Sequence, residues 1–229
     1  MSILSRIWKR QKSYLCCGCR ERYNIDEAVY TYKNTCICRK CFDKLEFVQG
    51  RLLFFGETYE DLTFSPFYYR GLFRDIFLKF KFSGNFAFGH ILGMAAAERL
   101  KDEEELNGYS CIVPVPLSAK RYRDRGYNQS EIMAQYIAKE LGIEIEKLLV
   151  RCKNTTPQSV GKTYKRSLNV RNAFEVCGNA EGKRIIVFDD IHTTGSTLHE
   201  CENVLKAAGA EKICFVTAAY VYHKKERLT

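Results

Sequence analysis

The run from Arg184 to Leu198 (Arg-Ile-Ile-Val-Phe-Asp-Asp-Ile-His-Thr-Thr-Gly-Ser-Thr-Leu) constrains this chain more than any other part of it. A short apolar stretch ends in two adjacent carboxylates, Asp189 and Asp190. A hydroxyl- and glycine-rich loop then opens into an amphipathic helical pattern. That order describes an anion site at the carboxyl edge of a parallel sheet, where open α/β folds bind their ligands. Gly195 lets the backbone come close to a phosphate. The free N–H groups and positive dipole of the following helix favour a dianion there. Thr193, Thr194, Ser196 and Thr197 add hydroxyl donors. Asp189 and Asp190 would repel a phosphate, and instead suit a vicinal diol or a magnesium ion holding one. A phosphate on one side and a diol on the other describe a ribose 5-phosphate. The plainer alternative is an ordinary strand–turn–helix with a solvated acidic pair.

At these residues the segment resembles the 5-phosphoribosyl-1-pyrophosphate (PRPP) loop of type I phosphoribosyltransferases. A second strand–loop–helix unit precedes it. Cys111 to Pro116 reads as a buried strand ending at a rigid turn, and Ser118 to Gln129 as a loop carrying Lys120, Arg121, Arg123 and Arg125. Ser130 to Leu141 has helical apolar spacing, with Gly142 as its stop. Guanidinium groups suit pyrophosphate because they present several donors in a fixed fork. Leu148 to Phe174 is polar and basic, and reads as a long loop or β-hairpin arm. A cationic lid of this kind would exclude water over an anionic substrate. A helix over 197–208 with its stop at Gly209, then a strand from Lys212 to Tyr222, complete the sheet. His192 falls inside the phosphate loop, as filler or as pocket wall.

Eleven cysteines are dominated by six near the N-terminus. Cys16-x2-Cys19 and Cys38-x2-Cys41 stand eighteen residues apart, a spacing that lets four thiolates converge on one structural zinc ion. Cys17 and Cys36 are spare, and either could replace a neighbour. Buried reduced thiols or an oxidation-sensitive cluster are the other readings. The remaining five, Cys111, Cys152, Cys177, Cys201 and Cys214, are dispersed, and several sit in apolar patterns, as buried thiols do. No secretory leader and no run long enough to span a bilayer is legible, so a reducing cytoplasm is expected.

Phe47 to Leu100 is aromatic and basic. Leu72, Phe73, Ile76, Phe77 and Phe80 have helical spacing, and Phe86 to Leu100 reads as a second helix. Most of these rings suit a core stripe. The cations among them, Lys79 and Lys81 above all, could instead track single-stranded nucleic acid while rings stack on bases. The balance of 36 basic to 27 acidic residues, a net charge of +9, favours anionic ligands without selecting one.

In this order the motifs resemble the ComF competence-protein family: the double Cys-x2-Cys, Tyr69-x-Gly71-Leu72-x-Arg74, Lys81-Phe82-x-Gly84, and Pro114-Val115-Pro116. Arg121-x3-Arg125-Gly126-Tyr127-Asn128-Gln129, Thr156-Pro157-Gln158, Asn169-Val170-Arg171-Asn172 and the acidic loop continue the match. The resemblance implies an α/β fold, a type I phosphoribosyltransferase-like parallel-sheet domain with a small N-terminal zinc-binding domain. The implied division is a four-cysteine zinc-binding domain over 1–45, an aromatic and basic helical hood or linker over 46–105, and the phosphoribosyltransferase-like domain over 106–229. Carried over by position, Asp189 and Asp190 hold the ribose hydroxyls as the catalytic pair. Thr193, Thr194, Gly195, Ser196 and Thr197 cradle the 5-phosphate, Arg121 and Arg125 meet pyrophosphate, and Lys162, Lys165 and Arg166 lie in the lid. Arg123, Lys165 and Arg166 join Lys79 and Lys81 as nucleic-acid contacts. Zn2+ would be structural, and Mg2+ would arrive with PRPP.

The implied function is a cytoplasmic DNA-uptake factor that binds single-stranded DNA beside a helicase-like partner and has a PRPP site. Two alternatives stand beside it. One is an active phosphoribosyltransferase on an unidentified acceptor, and the other a zinc-domain adaptor for a translocation motor with a vestigial pocket.

Overall fold

The computed structural model describes residues 12–48, 52–55, 60–152 and 172–221 of the 229. Lys162, Lys165 and Arg166, expected in the lid, lie outside the described residues. The chain opens with a four-stranded ribbon of β1 (Tyr14–Cys16), β2 (Arg22–Tyr23), β3 (Ala28–Tyr32) and β4 (Thr35–Cys38), followed by the short helix α1 (Arg39–Phe42). Then come β5 (Leu52–Phe55), β6 (Glu60–Phe64), β7 (Phe67–Tyr68) and the helices α2 (Gly71–Ser83) and α3 (Phe86–Leu100). The remainder is β8 (Cys111–Pro114), α4 (Ala119–Arg125), α5 (Gln129–Leu141), β9 (Glu144–Ile145), β10 (Leu149–Arg151), β11 (Phe174–Val176), β12 (Arg184–His192), α6 (Ser196–Ala207) and β13 (Lys212–Tyr220).

The main sheet runs β5-β6-β13-β12-β8-β9, with β7 also paired to β13. All its pairings are parallel except that of β5 with β6. The central strand β12 is buried on both faces, which explains its unbroken apolar run. Ile186 and Phe188 pack into one core with Met133, Ala134 and Ile137 of α5. Ile185 and Val187 pack into the other with Leu198, Cys201 and Leu205 of α6.

Those two faces follow from topology. The crossover from β8 through α5 lands on β9 at one edge, whereas the crossover from β12 through α6 lands on β13 in the opposite direction. Crossovers of the same hand running in opposite directions put their helices on opposite faces. The connections leaving adjacent strands β8 and β12 therefore part in opposite directions beyond the carboxyl ends, the topological switch point where α/β folds form a crevice.

Three expectations need correction. The basic stretch after β8 is not all loop, because Ser118 accepts a hydrogen bond from Arg121 N–H (3.3 Å) and so caps α4. Gly126, at φ 79°, ends that helix in the left-handed conformation. The hood region is not only helical: β5, β6 and β7 join the main sheet. The last strand stops at Tyr220 rather than Tyr222. The aromatic stripe is core as expected, with Phe73, Ile76, Phe77 and Phe80 fully buried. Cys111, Cys201 and Cys214 are buried thiols, but Cys152 and Cys177 are exposed, the last beside the β10–β11 ladder.

Candidate ribose-phosphate site and thiolate cluster

At the switch point β12 delivers Asp189 and Asp190, and α6 begins four residues beyond its last strand residue. Gly195 caps α6 with φ 71°, a conformation that disfavours side chains. A Cβ there would also meet His192 Nε2 at 3.2 Å and the His199 ring at 3.3 Å. Both the backbone and the space thus call for glycine. Asp189, His192, Thr193, Gly195 and Thr197 line one small open pocket, and Thr194 and Ser196 join hydroxyls across the loop at 3.0 Å. The exposed N–H groups of the first turn of α6 face the same region as these hydroxyls, which makes an anion seat beside a carboxylate pair.

Asp189 is half-buried as a residue, but its carboxyl group is enclosed. Burial first, and the charge of Asp190 second, push its pKa up to about 7. Opposing them, Asp190 N–H and the Ser130 hydroxyl donate to Asp189 Oδ1 at 2.8 and 3.1 Å, and Lys81 is close enough to act through its charge. Such a carboxyl is only partly ionised at neutral pH, and a cation or hydroxyl donor brought beside it favours the charged form.

The residues expected to face pyrophosphate are partly gathered. Arg125, at the end of α4, donates to the buried Gln129 side chain and lies in the field of Asp190. Burial lowers its pKa while that carboxylate raises it. Arg121 is half-buried one turn earlier, and Arg123 is exposed on the helix. Lys79 is exposed and Lys81 half-buried, close to the site.

Four residues with no role assigned from sequence help to build the site. Asn128 caps α5, accepting from Ser130 N–H at 3.1 Å and donating to the Val115 carbonyl at 3.0 Å, which ties the helix to the end of β8. Gln129 and Ser130 then reach Arg125 and Asp189. Asn-Gln-Ser after a glycine is a legible capping signal. Arg151, at the end of β10, shares an electrostatic field with Asp189 and Arg121, and no motif marks it.

In the N-terminal ribbon, Cys16, Cys19, Cys38 and Cys41 place their sulfurs within 4.8 Å of one another. Cys16 and Cys38 are 3.7 Å apart, and Cys19 and Cys38 are 4.0 Å apart. Tetrahedral zinc with bonds of about 2.3 Å needs sulfurs roughly 3.8 Å apart, so the set fits the ion. Cys36 turns its thiol to the Tyr14 carbonyl at 3.7 Å, and Cys17, fully buried, also stands outside the cluster. No helix among the described residues is long and apolar enough to cross a membrane.

A family model described as "Phosphoribosyl transferase domain" matches residues 127–228. The chain is similar to Competence protein F of Haemophilus influenzae, 27% identical over 212 residues that cover 88% of each protein. It is 30% identical over 147 residues to Competence protein ComFC of Streptococcus pneumoniae, covering 64% of this chain and 63% of that one. Among solved structures it is similar to glutamine PRPP amidotransferase from B. subtilis, at 22% identity and a TM-score of 0.40. That match covers 56% of this chain and spans only 26% of the amidotransferase. The matched family and the observed strand order agree on a type I phosphoribosyltransferase fold.

Proposed function

As a ComFC-like chain with a phosphoribosyltransferase-like domain, this protein, we propose, serves the uptake of DNA in the cytoplasm by binding single-stranded DNA and carrying a PRPP site. The observation that carries the reading is the juxtaposition at one switch point of a carboxylate pair and a glycine-capped helix N-terminus. Asp189 and Asp190 take the ribose hydroxyls with Mg2+. Thr193 to Thr197 take the 5-phosphate, and Arg121, Arg125 and Lys162 supply the cations for pyrophosphate. The names of the two competence proteins support the DNA role. So does Lys81, whose charge acts on Asp189, with Lys79 and Arg123 exposed on α2 and α4.

The thiolate cluster holds Zn2+ and gives the N-terminal ribbon its stability, and a helicase-like protein is the expected partner. A labelled single strand titrated into wild type and Lys79→Glu/Lys81→Glu tests the strand role. Affinity should fall and its salt dependence should flatten, since each lost phosphate contact removes about 0.7 from the single-strand slope. Unaltered affinity and slope would contradict this placement.

A second reading, active phosphoribosyl transfer, is favoured by one observation. The acid pair is not merely retained: Ser130 holds Asp189 in place. Asp190→Asn should then abolish pyrophosphate release and leave strand binding intact, and loss of both together would refute separate sites.

A further inference from the structure

Where α2 ends and α3 begins, two aromatic rings are exposed. Phe82 is 74% exposed and Phe86 is 44% exposed, in a protein that buries most other described rings of this region. Phe86 lies against Tyr127, with ring centres 4.4 Å apart, and Tyr127 stacks on Phe80 at 5.4 Å. The Tyr127 hydroxyl also donates to the Phe80 carbonyl, so the corner is anchored to the segment that follows α4. That segment continues through Gln129, which holds Arg125, to Ser130, which holds Asp189 at 3.1 Å. Phe86 and the acid pair are therefore joined by a few consecutive, packed residues.

Lys81 links the two from the other side. Its ammonium lies 5.8 Å from the ring centres of both Phe77 and Phe82, and its charge acts on Asp189. Exposed flat rings beside a cation suit a ligand with flat faces and repeated negative charge: bases stack while phosphates meet ammonium groups. A polyanionic sugar phosphate at the acid pair would draw the same ammonium inward.

We propose that Phe82 and Phe86 form a base-stacking seat contiguous with the ribose-phosphate site, and that single-stranded nucleic acid and PRPP weaken one another by sharing Lys81. The proposal rests on the PRPP and strand reading above and adds the stacking residues and the coupling. Linkage makes the effect reciprocal: whatever factor PRPP imposes on the strand, the strand imposes on PRPP.

The test measures anisotropy of a fluorescein-labelled thymidine oligonucleotide on the zinc-loaded full chain, with and without saturating Mg2+ and PRPP at constant ionic strength. PRPP binding is followed separately by calorimetry. In wild type, PRPP should weaken the strand about fivefold or more. Phe82→Ala, at an exposed site, should weaken the strand about tenfold and leave PRPP affinity alone. Lys81→Gln should bring the coupling factor close to one.

Absence of PRPP binding in wild type would overturn the reading of the loop itself. Binding of both ligands with no mutual effect, or full coupling retained in Lys81→Gln, would overturn only the shared-cation proposal. An unchanged strand affinity in Phe82→Ala would overturn the stacking seat.

Discussion

At Asp189, folding and ligand binding pull in opposite directions with pH. Its native pKa of about 7 stands above the ordinary 3.8, so between those values the folded protein binds more protons than the unfolded one. Stability from this group is complete in acid and is lost as pH rises through about 7. Asp189→Asn, which cannot ionise, should therefore stabilise the protein more at pH 8 than at pH 5, read from urea unfolding midpoints. Equal effects at both pH values would contradict the enclosed carboxyl. Binding of Mg2+ with PRPP needs the ionised form, so its affinity should climb through the same window. Gly195 makes a second residue-scale case. Alanine there must adopt φ 71° and push against His192 and His199. Left-handed strain alone costs about 1–2 kcal/mol, and Gly195→Ala should lose PRPP binding more than tenfold while remaining folded by circular dichroism. The acidic pair, the threonines and this glycine were legible because they are contiguous. Ser130 and Arg151 were not, since they reach Asp189 from α5 and β10, and only folding brings them there.

The helices α3 and α5 approach closely because α3 carries Gly93 where they touch. A Cβ at that position would meet the Tyr136 ring at 2.8 Å and the Met133 backbone at 3.2 Å. Alanine is the better helix former by about 1 kcal/mol, but the overpacking should win. Gly93→Ala is predicted to destabilise by about 1–3 kcal/mol in chemical denaturation, and a stabilised variant would contradict the close contact. The helix α5 also carries Ser130 at its first turn, so the same change should weaken PRPP binding. Boundaries of α3 and α5 were legible to within a residue, because apolar spacing and Gly142 mark them. The helix α4 was hidden by its charge. Its cap at Ser118 and stop at Gly126 were present in the sequence, but four cations in a row of polar residues read as loop. Strands β5 to β7 were hidden for another reason: short segments carry no clear period, and the pairing of β6 and β7 with β13 is a matter of topology.

Across the whole molecule, the thiolate ribbon is not an appendage with a separate interior. Cys16, Cys38 and Cys41 share one continuous core with α2, α3, α5 and the inner face of β12. Tyr32 of the ribbon stacks on His90 of α3 with ring centres 3.6 Å apart, and His90 meets the Tyr136 hydroxyl at 2.7 Å. Loss of the zinc proposed for this cluster should therefore propagate. Cys38→Ser, or chelation of zinc-loaded protein, should lower the melting temperature by roughly 5 °C or more. A melting curve unmoved by chelation would contradict a structural zinc. The fold class, and the carboxylate pair and glycine-capped helix that make the candidate site, were legible from one fifteen-residue run together with the double Cys-x2-Cys. The shared core was not, because nothing local in the cysteine region encodes what it packs against.

A working PRPP site at the switch point between β8 and β12 is the proposal on which the others depend. Calorimetric titration of PRPP into zinc-loaded protein, with and without Mg2+, tests it most directly when run beside Asp189→Asn/Asp190→Asn. The account predicts saturable, Mg2+-dependent binding in wild type that the double variant loses. Wild-type protein that takes up no PRPP under either condition would contradict it.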